Sequence, residues 1–141
     1  MNWKQTVVTI LMCALVVLIG STPQEAIAEG SSITPRYTYT CEVMAGLEIS
    51  SSGTATCRGR IQVYSSTSHI AMRVNLYRKE GSSWIKEVGW TDSCDGRYAL
   101  SIIQTYAVSA GTYKVVTTAA ITGADGNYET VSEESNIFSY P

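Results

Sequence analysis

The sequence predicts an all-β chain of seven short antiparallel strands, packed as two sheets face to face behind an N-terminal export signal. Three observations carry this. Apolar residues recur at every second position over most of the chain, clusters of Ser, Gly, Asp and Asn interrupt that alternation at short intervals, and no helical period appears after the first 28 residues.

The leader comes first. Residues 7–19 are an apolar or near-apolar run behind Lys4, and the small triplet Ala26-Ile27-Ala28 follows. Thirteen residues are too few to cross a bilayer, which takes about 20. The pattern reads as a secretory signal peptide over 1–28, so the protein is expected to be secreted, with no membrane insertion after cleavage. Removal after Ala28 leaves 113 residues at 29–141, enough for a single domain with one core. Cys13 leaves with the signal, and Leu11-Met12 before it lack the small residue of a lipoprotein site. Neither a sortase-type tail nor a basic run precedes Tyr140-Pro141, so retention at a surface is expected to need a partner.

The remaining chain keeps nine basic and eleven acidic residues with the signs interspersed. That balance argues against nucleic acid and anionic membrane as partners.

The strands follow in order. Tyr37, Tyr39, Cys41, Val43, Ala45, Leu47 and Ile49 alternate in the first segment, and Ala55, Cys57, Ile61 and Val63 in the second. Ile70, Met72, Val74 and Leu76 share one face of the third, with Arg73 and Asn75 on the other, which predicts a central strand. In the fourth, Trp84, Val88 and Trp90 share one parity. Facing them inward sets Met72 opposite Trp90 and Val74 opposite Val88, with a five-residue loop at 79–83. Tyr98, Leu100, Ile102, Tyr106 and Val108 mark the fifth, and Tyr113, Val115, Thr117, Ala119 and Ile121 the sixth. Asp125-Gly126-Asn127 predicts a hairpin turn with positive φ before a less regular seventh segment over 128–140. There Glu133-Glu134 break the alternation, a means of discouraging edge-to-edge association.

Seven strands at this spacing predict a β-sandwich. The stretch Ala110-Gly111-Thr112-Tyr113-Lys114-Val115 resembles the turn into the sixth strand of immunoglobulin-like and fibronectin-type domains. The resemblance implies that Tyr113 forms a structural tyrosine corner, its hydroxyl bonding back to the backbone. The chain after the leader also resembles the small secreted β-sandwich proteins of clostridia and related Gram-positive bacteria, a largely uncharacterised group. The matching residues are Leu47-Glu48-Ile49-Ser50 with Gly53, Ala55-Thr56-Cys57, residues 76–84, Trp90 and the Gly111-Thr112-Tyr113 corner. That likeness implies export and an immunoglobulin-like β-sandwich, and no activity. An antibody-type disulfide is not expected, because the sixth strand has no cysteine and the tryptophans lie on the fourth.

Cys41, Cys57 and Cys94 are an odd set, so at most one intramolecular bridge forms. A tight first turn places Cys57 opposite Gly46, about 16 Å from Cys41 at strand rise, beyond the roughly 7 Å a disulfide tolerates. In an immunoglobulin-like order the starts of the first and fifth strands share one end of the sandwich, which makes Cys41 with Cys94 the favoured disulfide candidate. Three reduced thiols, or one joined to another chain, remain open. Cys57 is then a buried thiol acting as a small hydrophobe.

Chemistry is sparse. His69, the one histidine, has no base-orienting partner at a recognisable spacing, and no Gly-x-Ser-x-Gly elbow is present, so a catalytic triad is not expected. One histidine and scattered cysteines offer no zinc spacing. Asp92-Ser93-Cys94-Asp95-Gly96 has part of a calcium loop without its closing glutamate and reads as a polar turn. Paired carboxylates for glycoside hydrolysis would have to converge from distant strands in a domain too small for a walled cleft. No cofactor and no metal are expected. Trp84, placed by its register at the mouth of the third-to-fourth hairpin opposite Arg78, is the ligand-contact candidate together with that arginine. The competing role is a ring capping the core beneath the Arg78 guanidinium.

The expectation is a secreted, non-catalytic binding module for a glycan or surface protein, monomeric or weakly oligomeric. The alternative is a structural or assembly component joined through a sheet edge or the odd cysteine.

Overall fold

The computed structural model describes residues 37–64 and 69–141. The signal peptide expected over 1–28, with Cys13, lies outside the described residues. Eight strands run in order: β1 (Thr40–Ile49), β2 (Thr54–Val63), β3 (His69–Glu80), β4 (Ser83–Cys94), β5 (Ala99–Ala107), β6 (Gly111–Thr122), β7 (Tyr128–Glu134) and β8 (Phe138–Tyr140). They form an antiparallel three-stranded sheet, β1-β2-β5, and a five-stranded sheet, β4-β3-β6-β7, in which β8 also pairs with β6. The expected seventh segment is thus two strands along one neighbour. The Ser135 side chain accepts from the Val115 amide at 2.8 Å where the path breaks.

The two sheets make an immunoglobulin-like β-sandwich in which the fourth strand stays with the third. Alternation explains which face is buried. Ile70, Met72, Val74 and Leu76 on β3 meet Tyr113, Val115, Ala119 and Ile121 on β6, and Ala55, Cys57 and Ile61 on β2 close the core from the other sheet. The two sheets are in close contact at Gly59. A Cβ there would come within 2.8 Å of Thr117 Oγ1 and would also collide with Val74, so only glycine lets the sheets approach at mid-core. The β5–β6 crossing is fastened by Tyr113, whose buried hydroxyl donates to the Ser109 carbonyl at 2.8 Å.

The β3–β4 hairpin corrects the expected register. Val74 pairs with Trp90 and Leu76 with Val88, two residues from the expected positions, and the loop is the two-residue turn Gly81-Ser82. Gly81 has φ +60°, as the first central position of a type II′ turn requires. A bulge between Leu76 and Tyr77 absorbs the extra residue. The β1–β2 register is also corrected by one, with Cys57 opposite Leu47 rather than Gly46.

The lateral sides of the sandwich differ. On one, β1 packs over β6 and β7. There Glu129 Oε1 accepts from the amides of Tyr39 and Thr40 at 2.8 and 2.7 Å and from Thr40 Oγ1 at 2.8 Å. Its Oε2 accepts from the Thr38 amide at 2.8 Å. The Tyr39 hydroxyl donates to Asp125, 2.8 Å from either carboxylate oxygen, in the β6–β7 turn. On the other side β4 faces β5.

That arrangement accounts for the cysteines. The expected Cys41 to Cys94 bridge does not form, and Cys41, Cys57 and Cys94 are all free thiols. The starts of β1 and β5 do lie towards one end, but β1 and β4 occupy opposite lateral edges, with the width of a sheet between them. Strand spacing of about 4.8 Å makes that gap too wide for a disulfide.

Candidate functional site

The outer face of the five-stranded sheet is built by the residues that alternate with the core. On β3 these are Ala71, Arg73, Asn75, Tyr77 and Lys79, and the pairing sets Thr118 beside Arg73, Val116 beside Asn75 and Lys114 beside Tyr77 on β6. On β4, Thr91 and Gly89 lie beside Arg73 and Asn75, and past the bulge Lys86 and Trp84 lie beside Tyr77 and Lys79.

The bulge therefore decides where Trp84 goes. The expected inward parity with Val88 and Trp90 fails because one inserted residue exchanges the two faces. Ile85 takes the inward parity and Trp84 turns outward. Lys114 Nζ stands 4.7 Å from the Trp84 ring centroid and Lys79 Nζ 6.0 Å from it. Lys114 is held in place by Glu134, at 2.8 and 2.9 Å from the two carboxylate oxygens. The expected guanidinium over Trp84 is thus replaced by two ammonium groups, an attraction of about 0.5–1 kcal/mol each at exposed sites.

Arg78 belongs elsewhere. It pairs with Tyr113 on the inward parity, and its Nη2 donates to the Ala110 carbonyl at 3.2 Å beside the tyrosine corner. Trp84 and Arg78 consequently lie on opposite faces and do not form one site.

A broader feature lies on the same outer face as Trp84. An open depression of about 720 Å³ runs along the outer face, floored by Ala71, Ala120, Thr118 and Thr130 and bordered by Arg73, Tyr77, Thr91 and Ser93. Small and hydroxyl-bearing residues leave the floor low, while the long side chains of Arg73 and Tyr77 stand at its margins. From Tyr77 to Ala71 it extends about 20 Å at strand rise. Asn75 is sunk in it at 9% exposure, with its Oδ1 buried and unpartnered. Its Nδ2 is 3.5 Å from the Tyr77 hydroxyl. Turning the carboxamide end for end only exchanges which end goes unpaired. Gly89 makes room for it, since a Cβ there would strike Asn75 Oδ1 and come within 2.9 Å of Lys86 Cε. The sequence signal for this site was the polar parity of the third segment, Arg73 and Asn75. The spacing could not show that Ala and Thr on two further strands would hollow out the surface around them.

Other candidates resolve as follows. His69 Nδ1 lies 2.7 Å from Asp95 Oδ1, an exposed pair tying the start of β3 to the β4–β5 turn and a partner that sequence spacing did not reveal. The partial calcium loop is split: Asp92 to Cys94 complete β4, and Asp92 Oδ1 accepts the Ser93 amide at 2.8 Å. Among the described residues no group of three His, Cys, Asp or Glu side chains is placed to hold a metal. Burial pushes the Cys57 thiol up to about 11. A second groove, about 520 Å³, follows the β4 and β5 edges between Gly89, Trp90, Ile102 and Gln104.

No family model matches the chain, and no curated protein does. Among solved structures it is similar to the crystal structure of a family 76 glycoside hydrolase from a bovine Bacteroides thetaiotaomicron strain, at 15% identity and a TM-score of 0.37. The match covers 71% of this chain and 20% of that one, so the chain spans about a fifth of that protein's length.

Proposed function

We propose that this protein is a secreted, non-catalytic recognition module that binds a glycan on the outer face of its five-stranded sheet, without a cofactor. The observation that carries the reading is the depression holding Arg73, Asn75 and Tyr77, in which a nearly buried carboxamide keeps one end unpaired. Buried polar groups ordinarily find partners, and sugar hydroxyls supply both donors and acceptors. The floor is made of Ala and Thr rather than the large apolar groups that fill the centre of a protein interface, which favours a glycan over a surface protein. The Tyr77 ring at the margin supplies an apolar surface against which a sugar ring stacks. Secretion is supported by the leader pattern.

Co-sedimentation of the protein with insoluble cell wall tests this. The wild type is expected to sediment, Tyr77→Ala to lose most of the bound fraction, and Trp84→Ala to lose less, because its ring is covered by Lys114. No sedimentation, or full binding by Tyr77→Ala, would overturn the reading.

A second reading is an assembly role through a sheet edge. It is favoured by β5, nine residues without charge or proline, whose Ile103 is 62% exposed.

A further inference from the structure

The same outer face carries an uneven charge. Arg73, Lys79, Lys86 and Lys114 all stand on it, four of the eight Lys and Arg among the described residues, in a chain whose net charge is −2. Carboxylates do not balance them. Glu134 is engaged by Lys114. Asp92, at the rim, turns one oxygen to the Ser93 amide, and Glu80 and Glu87 lie at the hairpin tip and the bulge. Arg73 is exposed, borders the depression, and has no carboxylate within ion-pair distance among the described residues.

We propose that the depression binds an acidic saccharide, with a ligand carboxylate or sulfate paired to the Arg73 guanidinium and a neighbouring sugar hydroxyl bonded to the Asn75 carboxamide. This rests on the reading of the outer face as a glycan site and deepens it by naming the charge of the ligand. A guanidinium presents a planar fork of donors that fits a carboxylate or a sulfate in two parallel hydrogen bonds, which an ammonium cannot reproduce. Asn75 sits on the adjacent outward position of the same strand, so the two contacts are about 6.6 Å apart along β3. That spacing suits two substituents of one ring or of two linked rings. Lys86, whose stem lies over Gly89 beside Asn75 Oδ1, is the part that swings aside, because its long chain is free to rotate towards solvent while the Asn75 backbone is fixed in the centre of the sheet. After moving, its ammonium adds to the positive field over the ligand.

Affinity electrophoresis of the protein through gels containing polygalacturonate, chondroitin sulfate or neutral dextran separates the outcomes. Wild type, Arg73→Gln, Arg73→Lys and Arg60→Gln are compared. Arg60 lies on the outer face of the other sheet and serves as the control for bulk charge. Retardation by an acidic polymer, reduced at least tenfold in apparent affinity by Arg73→Gln, partly kept by Arg73→Lys and unchanged by Arg60→Gln, is the expected result. Polygalacturonate against chondroitin sulfate then tells whether carboxylate alone suffices. Equal retardation by dextran would overturn the acidic ligand while leaving a glycan site standing. An equal loss in Arg60→Gln would overturn it as diffuse attraction, and no retardation by any polymer would overturn both readings. Thermal melting of each variant identifies one that has failed to fold.

Discussion

Thr117 is a threonine in a place where alternation asks for an aliphatic side chain. It faces inward opposite Val74, is fully buried, and its Oγ1 has no hydrogen-bond partner. An unmet buried hydroxyl costs about 1–3 kcal/mol. Replacing it with a methyl keeps the shape and removes that cost, so Thr117→Val is expected to stabilise the protein by about 1 kcal/mol. A urea midpoint that rises at unchanged slope would show it; a fall would mean the hydroxyl is engaged. Cys57 offers a second residue-level test. Its inward parity was legible in the sequence, and burial pushes its thiol up to about 11. In native protein at pH 8 a disulfide reagent is expected to titrate the exposed Cys41 quickly and to reach Cys57 only after unfolding. Fast labelling of two thiols with Cys57 among them would contradict the packing. What single residues could not reveal was company. The partners of His69 and of Asn75 come from other segments, and no spacing along the chain encodes them.

At the scale of elements, strand existence was readable because period two survives wherever one face is buried. Register was less so. The β3–β4 hairpin was displaced by two residues because Gly81-Ser82 makes a tighter turn than the five-residue loop the inward placement of Trp84 required. The bulge then reverses parity within a single strand, which an assumption of strict alternation excludes. The same scale holds the clamp between β1 and β7. Burial raises the Glu129 carboxyl, but its hydrogen bonds from Thr40, Tyr39 and Thr38 outweigh this and hold it below its ordinary value of 4.5. A folded-state value below the unfolded one contributes stability that is fully present above about pH 4.5 and is lost as pH falls through the lower folded value. Glu129→Gln puts an amide NH2 against one of these backbone donors and removes the charge. It is expected to cost about 2 kcal/mol at pH 7, on the scale of hydrogen bonds to charged groups. Denaturant titrations should show the difference from wild type narrowing below pH 4. A difference that stays constant to pH 3 would remove Glu129 as the source of that acid sensitivity.

For the whole molecule, the two lateral sides of the sandwich have opposite characters. The β1 side is closed by Glu129 and by the Tyr39 to Asp125 contact. The β4 and β5 side keeps two strand edges and a groove between them. Proteins commonly protect such edges with charge, proline or bulges. β4 has them, with Lys86, Glu87 and Asp92 along its length and a bulge near its start. β5 has none, and its outward Ile103 is exposed beside Arg58 of β2. Any association of the protein with itself is therefore expected to use β5, where added strand pairing satisfies backbone groups without desolvating a charge. Sedimentation velocity across a hundredfold concentration range should reveal a reversible dimer that Ile103→Lys abolishes, with the melting temperature unchanged because that side chain points to solvent. Reductant should leave the dimer intact if the edge is responsible and dissolve it if Cys41 is. A dimer that persists in Ile103→Lys and disappears with reductant would move assembly from the sheet edge to the exposed thiol on the opposite side.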